Sequence, residues 1–184
     1  MSDEEVTRRV RHWIEEAVIG LDFCPFAASV YHTDRVRIVV ARAENAIEAV
    51  DATLDEVSLL LETSRAEIAT TLVTFPGALG DFRRFLDVAE TVRGALAESG
   101  GEGILQVATF HPDYQFAGTE PDDLENYTNR SPVPILHLLR EEHVTEAVDG
   151  HPDPEGIPER NIERLRAMDR EEIRRIWRRF EVGG

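Results

Sequence analysis

Lysine is absent. All 20 basic residues of the 184 are arginine, and they face 36 Asp and Glu, for a formal net charge of −16. Because the acids run from Asp3 to Glu181 rather than in one tail, the whole surface repels polyanions, so no nucleic-acid or membrane partner is expected. The single cysteine, Cys24, rules out an internal disulfide and any multi-cysteine zinc site, which points to a reducing, cytoplasmic setting. No apolar run approaches the roughly 20 residues of a membrane span. The opening MSDEEVTRR lacks the apolar centre of a signal peptide. Gly100, Gly101 and Gly103 sit between a helical and a strand-like stretch, the reverse of the dinucleotide-binding order, and no cofactor is expected. We read the bias toward arginine as codon usage or a salty habitat rather than as chemistry.

With 42% hydrophobic residues, the chain has enough apolar material for a sizeable core, and its length is that of about one domain, taken here as residues 1–184. Val6, Val10, Trp13, Ile14, Ala17 and Val18 recur at helical spacing between a Ser2–Glu5 capping box and Gly20. Pro25 is placed to open a short helix over Phe26 to Val30. Arg35 to Ala43 reads as a strand, and Ile47, Val50, Leu54, Val57 and Leu61 as a helix capped at Asn45. A strand over Ile68 to Phe75, a helix from Leu79 to Leu96 and a strand over Ile104 to Phe110 follow. This alternation predicts an α/β (or α+β) domain, with a small mixed or mainly parallel sheet of three to four strands packed by amphipathic helices. The stretch from His111 to Ser131 has no sustained period apart from a short helix over Pro121 to Tyr127, and a connection of that length is usually functional. Residues 134–141 fit two forms. Ile135, Leu138 and Leu139 favour a helix, whereas Pro132 and Pro134 also suit an edge strand. The tail is helical through Leu165 and again from Asp169 to Phe180.

The stretches WIEEAVIGLDFCPFA, TTLVTFP with DFRRFLDVAE, GILQVATFHPDYQFAGTEPDDLENYTNRSPVPILHLLRE and IPERNIERL resemble the DUF1415 domain family of bacteria and plastids. The resemblance covers nearly the whole chain and implies one intracellular domain. It places Cys24, His111 to Phe116, Asn126 to Ser131 and His137 to Glu141 within family motifs, and it brings no activity or catalytic residues with it. Asp22-Phe23 and His143 depart mildly from the family pattern.

Cys24, His111 and His137 are the candidate catalytic residues. If Pro25 is the first helical residue, Cys24 sits at a helix cap whose amides favour the thiolate; the opposing reading is a buried thiol among Phe23, Pro25 and Phe26. His111 leaves the third strand where open sheets place their ligand crevices, with a structural hydrogen bond at the turn as its other role. Tyr114, Asn126, Asn129, Arg130 and Arg140 are the candidate ligand-binding residues. The two arginines would grip an anionic small molecule or else pair with Glu120, Asp122, Glu125 or Glu141. On a helix, His137, Arg140 and Glu141 would share one face, and His111 would complete a metal site, but no HExxH motif is present and no metal is predicted. His12, His32 and His151 lie among surface-type residues and are set aside. Two functions remain open: a small enzyme acting on an anionic small molecule through Cys24 and a histidine, or a non-catalytic ligand-binding or protein-interaction module with the same residues as a structural network.

Overall fold

The computed structural model describes residues 1–180. Helix α1 (Asp3–Trp13) starts where the Ser2 hydroxyl accepts the Glu5 amide, and it runs without a break into a π-helical segment, Ile14–Ile19. At the end of that segment a Cβ on Gly20 would fall 2.5 Å from the Glu16 carbonyl oxygen, so only glycine closes this wider turn without displacing main chain. A short α2 (Ala27–Tyr31) leads into β1 (Val36–Val40). Helix α3 (Ala46–Glu62) is held at its start by a reciprocal pair: Asn45 accepts the Glu48 amide, and the Glu48 carboxylate accepts from Asn45 Nδ2 and the Glu44 amide. Then come β2 (Thr70–Thr74), α4 (Phe82–Glu98) capped by Asp81, and β3 (Leu105–Phe110). A 3₁₀ turn (Leu124–Asn129) interrupts the long loop before β4 (Ile135–Arg140), which passes directly into α5 (Glu141–Gly150). Helices α6 (Ile157–Ala167) and α7 (Arg170–Arg178) follow.

The four strands form one mixed sheet in the order β1-β2-β4-β3. β1 and β2 are parallel, and β4 runs antiparallel to both β2 and β3. This settles residues 134–141, which fit either a helix or an edge strand: Ile135 to Arg140 form an interior strand, and Glu141 opens α5. Because β4 has a neighbour on each side and cover on both faces, Leu136 and Leu138 fill one face while Ile135 fills the other, and the period-2 signal is lost in a continuous apolar run. The prolines fall just ahead of the strand, where the Pro134 carbonyl accepts the Phe75 amide at 2.9 Å.

Each face of the sheet has its own core. Val73, Phe75, Leu105, Val107, Leu136 and Leu138 pack with Val57 and Leu60 of α3 and Phe85, Val88 and Val92 of α4. On the other face Leu72 and Ile135 meet Val6, Val10 and Trp13 of α1, Leu165 of α6, and Ile173 and Trp177 of α7. No helix among the described residues is long and apolar enough to cross a membrane.

Candidate functional site

The loop after β3 is stitched shut at its base. The His111 amide donates to the Asn129 carbonyl at 3.1 Å, and the Ser131 amide donates to the His111 carbonyl at 3.4 Å. Inside, Asn126 is fully buried and uses both ends of its amide: Oδ1 accepts the Phe116 amide at 3.0 Å, and Nδ2 donates to the Glu120 carbonyl at 2.7 Å. Asn129 Nδ2 reaches back to the Thr109 carbonyl at 3.1 Å. Tyr114 packs its ring against Phe82 and Phe116. These are the bonds that hold a compact surface loop together.

His111 is fully buried, with its ring about 5 Å from those of Phe82 and Phe85. The Asp113 amide can only donate, so Nδ1, 2.9 Å away, holds a lone pair, and the proton sits on Nε2, which donates to the Leu79 carbonyl at 2.9 Å. Burial pushes its pKa down, against the Leu79 bond and the Asp113 and Asp81 charges. Both ring nitrogens thus end on main chain.

His137 lies on the opposite face of the sheet, its ring 6.1 Å from that of Phe110. The Thr70 hydroxyl lies 2.6 Å from both the Leu138 carbonyl and His137 Nε2. Two oxygens that close need a proton between them, so Thr70 donates to Leu138 and Nε2–H donates to Thr70. Nδ1 is then an unprotonated acceptor with no hydrogen-bond partner among the described residues. Burial lowers the pKa of the ring to about 4.

The expected helical face of His137, Arg140 and Glu141 does not exist. On a strand His137 and Arg140 point to opposite faces, and His111 lies across the sheet from His137, so these side chains do not converge. Among the described residues no group of three or more His, Cys, Asp or Glu is placed to hold a metal ion.

The arginines correct a second expectation, since neither pairs with an acid among the described residues. Arg140, 8% exposed, caps the end of α3: Nη2 donates to the Leu60 and Thr63 carbonyls at 2.7 Å, and Nε donates to Ile68 at 3.2 Å. A fixed cation at a helix C-terminus meets both the unpaired carbonyls and the negative end of the dipole. Arg130 lies over the Tyr127 ring at 4.4 Å and donates to the Pro121 carbonyl.

Cys24 is half-buried in the turn between the π segment and α2. The helix starts at Ala27 with Phe26 as its cap, so Cys24 is not the cap residue. Burial pushes the thiol pKa up; the Phe26 and Ala27 amides pull the other way without reversing it, and Asp22 adds to the rise. Its turn is docked on α6, where Asn161 Nδ2 donates to the Phe23 carbonyl at 2.8 Å. No hydrogen bond joins Cys24 to His111 or His137 among the described residues.

His12, whose surroundings in the sequence mark it only as a surface residue, joins a cluster on the outer side of α1. His12 Nε2 is 2.8 Å from Glu16 Oε1, and Arg179, from the far end of the chain, donates to both Glu16 oxygens. Burial works against the Glu16 carboxylate, but the bonds from Arg179 and His12 outweigh it and hold the pKa below the ordinary value. Beside it, the Tyr31 hydroxyl donates to Glu15 Oε1 at 2.6 Å, and Arg11 lies over the Tyr31 ring. The i,i+4 spacing of His12 and Glu16 is visible in the sequence; the arrival of Arg179 is not.

No curated protein and no solved structure matches the chain. The family described as "Protein of unknown function (DUF1415)" matches residues 5–175, and the chain belongs to that family.

Proposed function

We propose that this protein is a non-catalytic binding module, in which the polar block from His111 to Arg140 is scaffold rather than a reaction centre. The observation that carries this reading is the wiring of His111, whose two ring nitrogens are both consumed by main-chain groups. Arg140 likewise gives its donors to main chain, and Asn126 and Asn129 divide their polar atoms between the backbone and the Thr119 and Thr128 hydroxyls, holding loop and helix ends in place. The enzyme reading needs Cys24 as a thiolate with a histidine beside it, and its thiol pKa is raised instead. The ligand expected of the module is an anionic small molecule, and a reducing cytoplasm suits its single thiol.

Native-state thiol labelling across pH tests this. We expect slow labelling at neutral pH and an apparent thiol pKa above the reference of about 8.5. Rapid labelling near pH 7, slowed by His137→Asn, would return Cys24 to a catalytic role.

A further inference from the structure

The outer side of α1 carries an open depression of about 940 Å³, within the size range of small-molecule sites. Arg8, Arg9, Arg11, His12 and Arg179 line it, in a chain where acids outnumber arginines 36 to 20. Three carboxylates also line it: Asp3 is paired with Arg42, Glu15 accepts from the neutral Tyr31 hydroxyl and keeps its charge, and Glu4 lies one turn before Arg8.

The cations differ in what they are doing. Arg9 pairs with Glu5, Arg179 is held by Glu16, and Arg11 is laid over Tyr31. Arg8 is exposed, and among the described residues its guanidinium has no hydrogen bond or ion pair. Arg83 and Arg84 share that condition but do not line the depression. Arg8 is one turn from both Arg11 and His12 on the same helix, so the Arg8 and Arg11 guanidinium groups are within reach of one ligand group, while His12, whose Nε2 donates to Glu16, lines its edge. Anchored walls around one free guanidinium form a preorganised receptor for an oxyanion, because the entropy of fixing Arg11 and Arg179 is already spent in the empty protein.

We propose that this depression binds a small polyvalent oxyanion, with Arg8 as the principal contact and Arg11 and His12 flanking it. The inference supplies the ligand for the binding-module reading and rests on it. The site is on the opposite side of α1 from the core residues Val6, Val10 and Trp13.

Isothermal titration of the full chain at low ionic strength, with inorganic pyrophosphate and separately with citrate, tests the site. Arg8→Glu is compared with Arg83→Glu, which imposes the same change in net charge elsewhere on an exposed helix. We expect the wild-type protein to bind at least one probe, Arg8→Glu to weaken it by about tenfold or more, and Arg83→Glu to leave it within about twofold. Binding of pyrophosphate alone assigns a phosphate-type ligand, and binding of citrate alone a carboxylate-type one; both uphold the site. Silence with both probes at about 10 mM, or equal losses in the two variants, overturns it. If Arg8→Glu does not fold, as judged by its melting curve, Arg8→Gln replaces it. Thiol labelling is indifferent to all these outcomes, so the scaffold reading stands or falls separately.

Discussion

On the α3/α4 face of the sheet, His111 is fully buried with both ring nitrogens on main chain; on the opposite face, His137 gives one nitrogen to Thr70 and leaves the other unpartnered among the described residues. The difference extends to their surroundings. Around His111 the covering helices are complete, with Phe85, Val88 and Val92 all buried. Around His137, Leu72 and Thr70 are buried, but Val36, Ile38, Gln106, Ala108 and Leu139 are half-buried, which marks a thinner cover toward the edges of that face. Polar groups in the sealed layer are there to be satisfied by main chain, and each one removed leaves a partner stranded. Polar groups in the thinner layer can turn to water.

Arg140 gives the largest expected contrast. Its guanidinium belongs to the sealed side and serves three carbonyls, Leu60 and Thr63 at the end of α3 and Ile68 just before β2. Arg140→Met keeps much of the bulk but strands those acceptors in a buried setting, and we expect a loss of about 4 kcal/mol in urea unfolding. A loss under about 1 kcal/mol would mean that water replaces the guanidinium and that the α3 end is not sealed. Next in size is His111→Leu, which preserves volume but unpairs the Leu79 carbonyl and the Asp113 amide, for about 3 kcal/mol. The matched change His137→Leu leaves Thr70 bonded to Leu138 and should cost under about 1 kcal/mol at pH 7. Equal losses at the two positions would dissolve the comparison.

The pH dependence sharpens it further. Burial holds the pKa of His137 at about 4, below the value of an unfolded histidine, about 6.5. A depressed folded-state pKa means that the unfolded chain takes up the proton first. The stability due to neutral His137 is therefore present above about pH 6.5, and it is lost as pH falls toward 4. Because the cover beside His137 is partly open, we expect about 2 kcal/mol over that window. His111 shifts in the same direction. Because carboxylates also titrate near the lower end, the informative quantity is the stability of wild type minus that of His137→Leu at each pH. That difference should fall by about 2 kcal/mol between pH 7 and 4. A flat difference would show that the ring is already solvated.

The same contrast explains what could be read from the amino acids. Helices with one apolar stripe and a side-chain cap, such as α3 behind Asn45 and α4 behind Asp81, are written locally, because the capping bond and the stripe both lie within a few residues. β4 is not, since an interior strand covered on both faces reads as an apolar run, and Leu138 and Leu139 mimic a helical step. The role of Arg140 was hidden for a different reason. Its partners are backbone carbonyls 72 to 80 positions away, and a carbonyl has no letter in the sequence, so only an anionic ligand or an acidic side chain can be named from the residues alone. In the same way, the π segment is signalled only by Gly20, and the basic depression only by Arg8, Arg11 and His12 until α7 brings Arg179 beside them.

The smallest expected effect probes how tightly the α3/α4 face is sealed. Thr71 is fully buried, and its neighbours on the same face of β2 are Val73 and Phe75 of that core. Among the described residues its hydroxyl has no hydrogen-bond partner, an exception in a layer where His111, Arg140 and Thr53 are all satisfied. Valine has nearly the same shape and removes the unpaired oxygen. Thr71→Val should therefore stabilise the protein by about 1 kcal/mol, without changing the slope of the urea transition. Destabilisation would mean that a bound water pairs with the hydroxyl, so that this face is wet at its centre and the contrast between the two layers is one of degree.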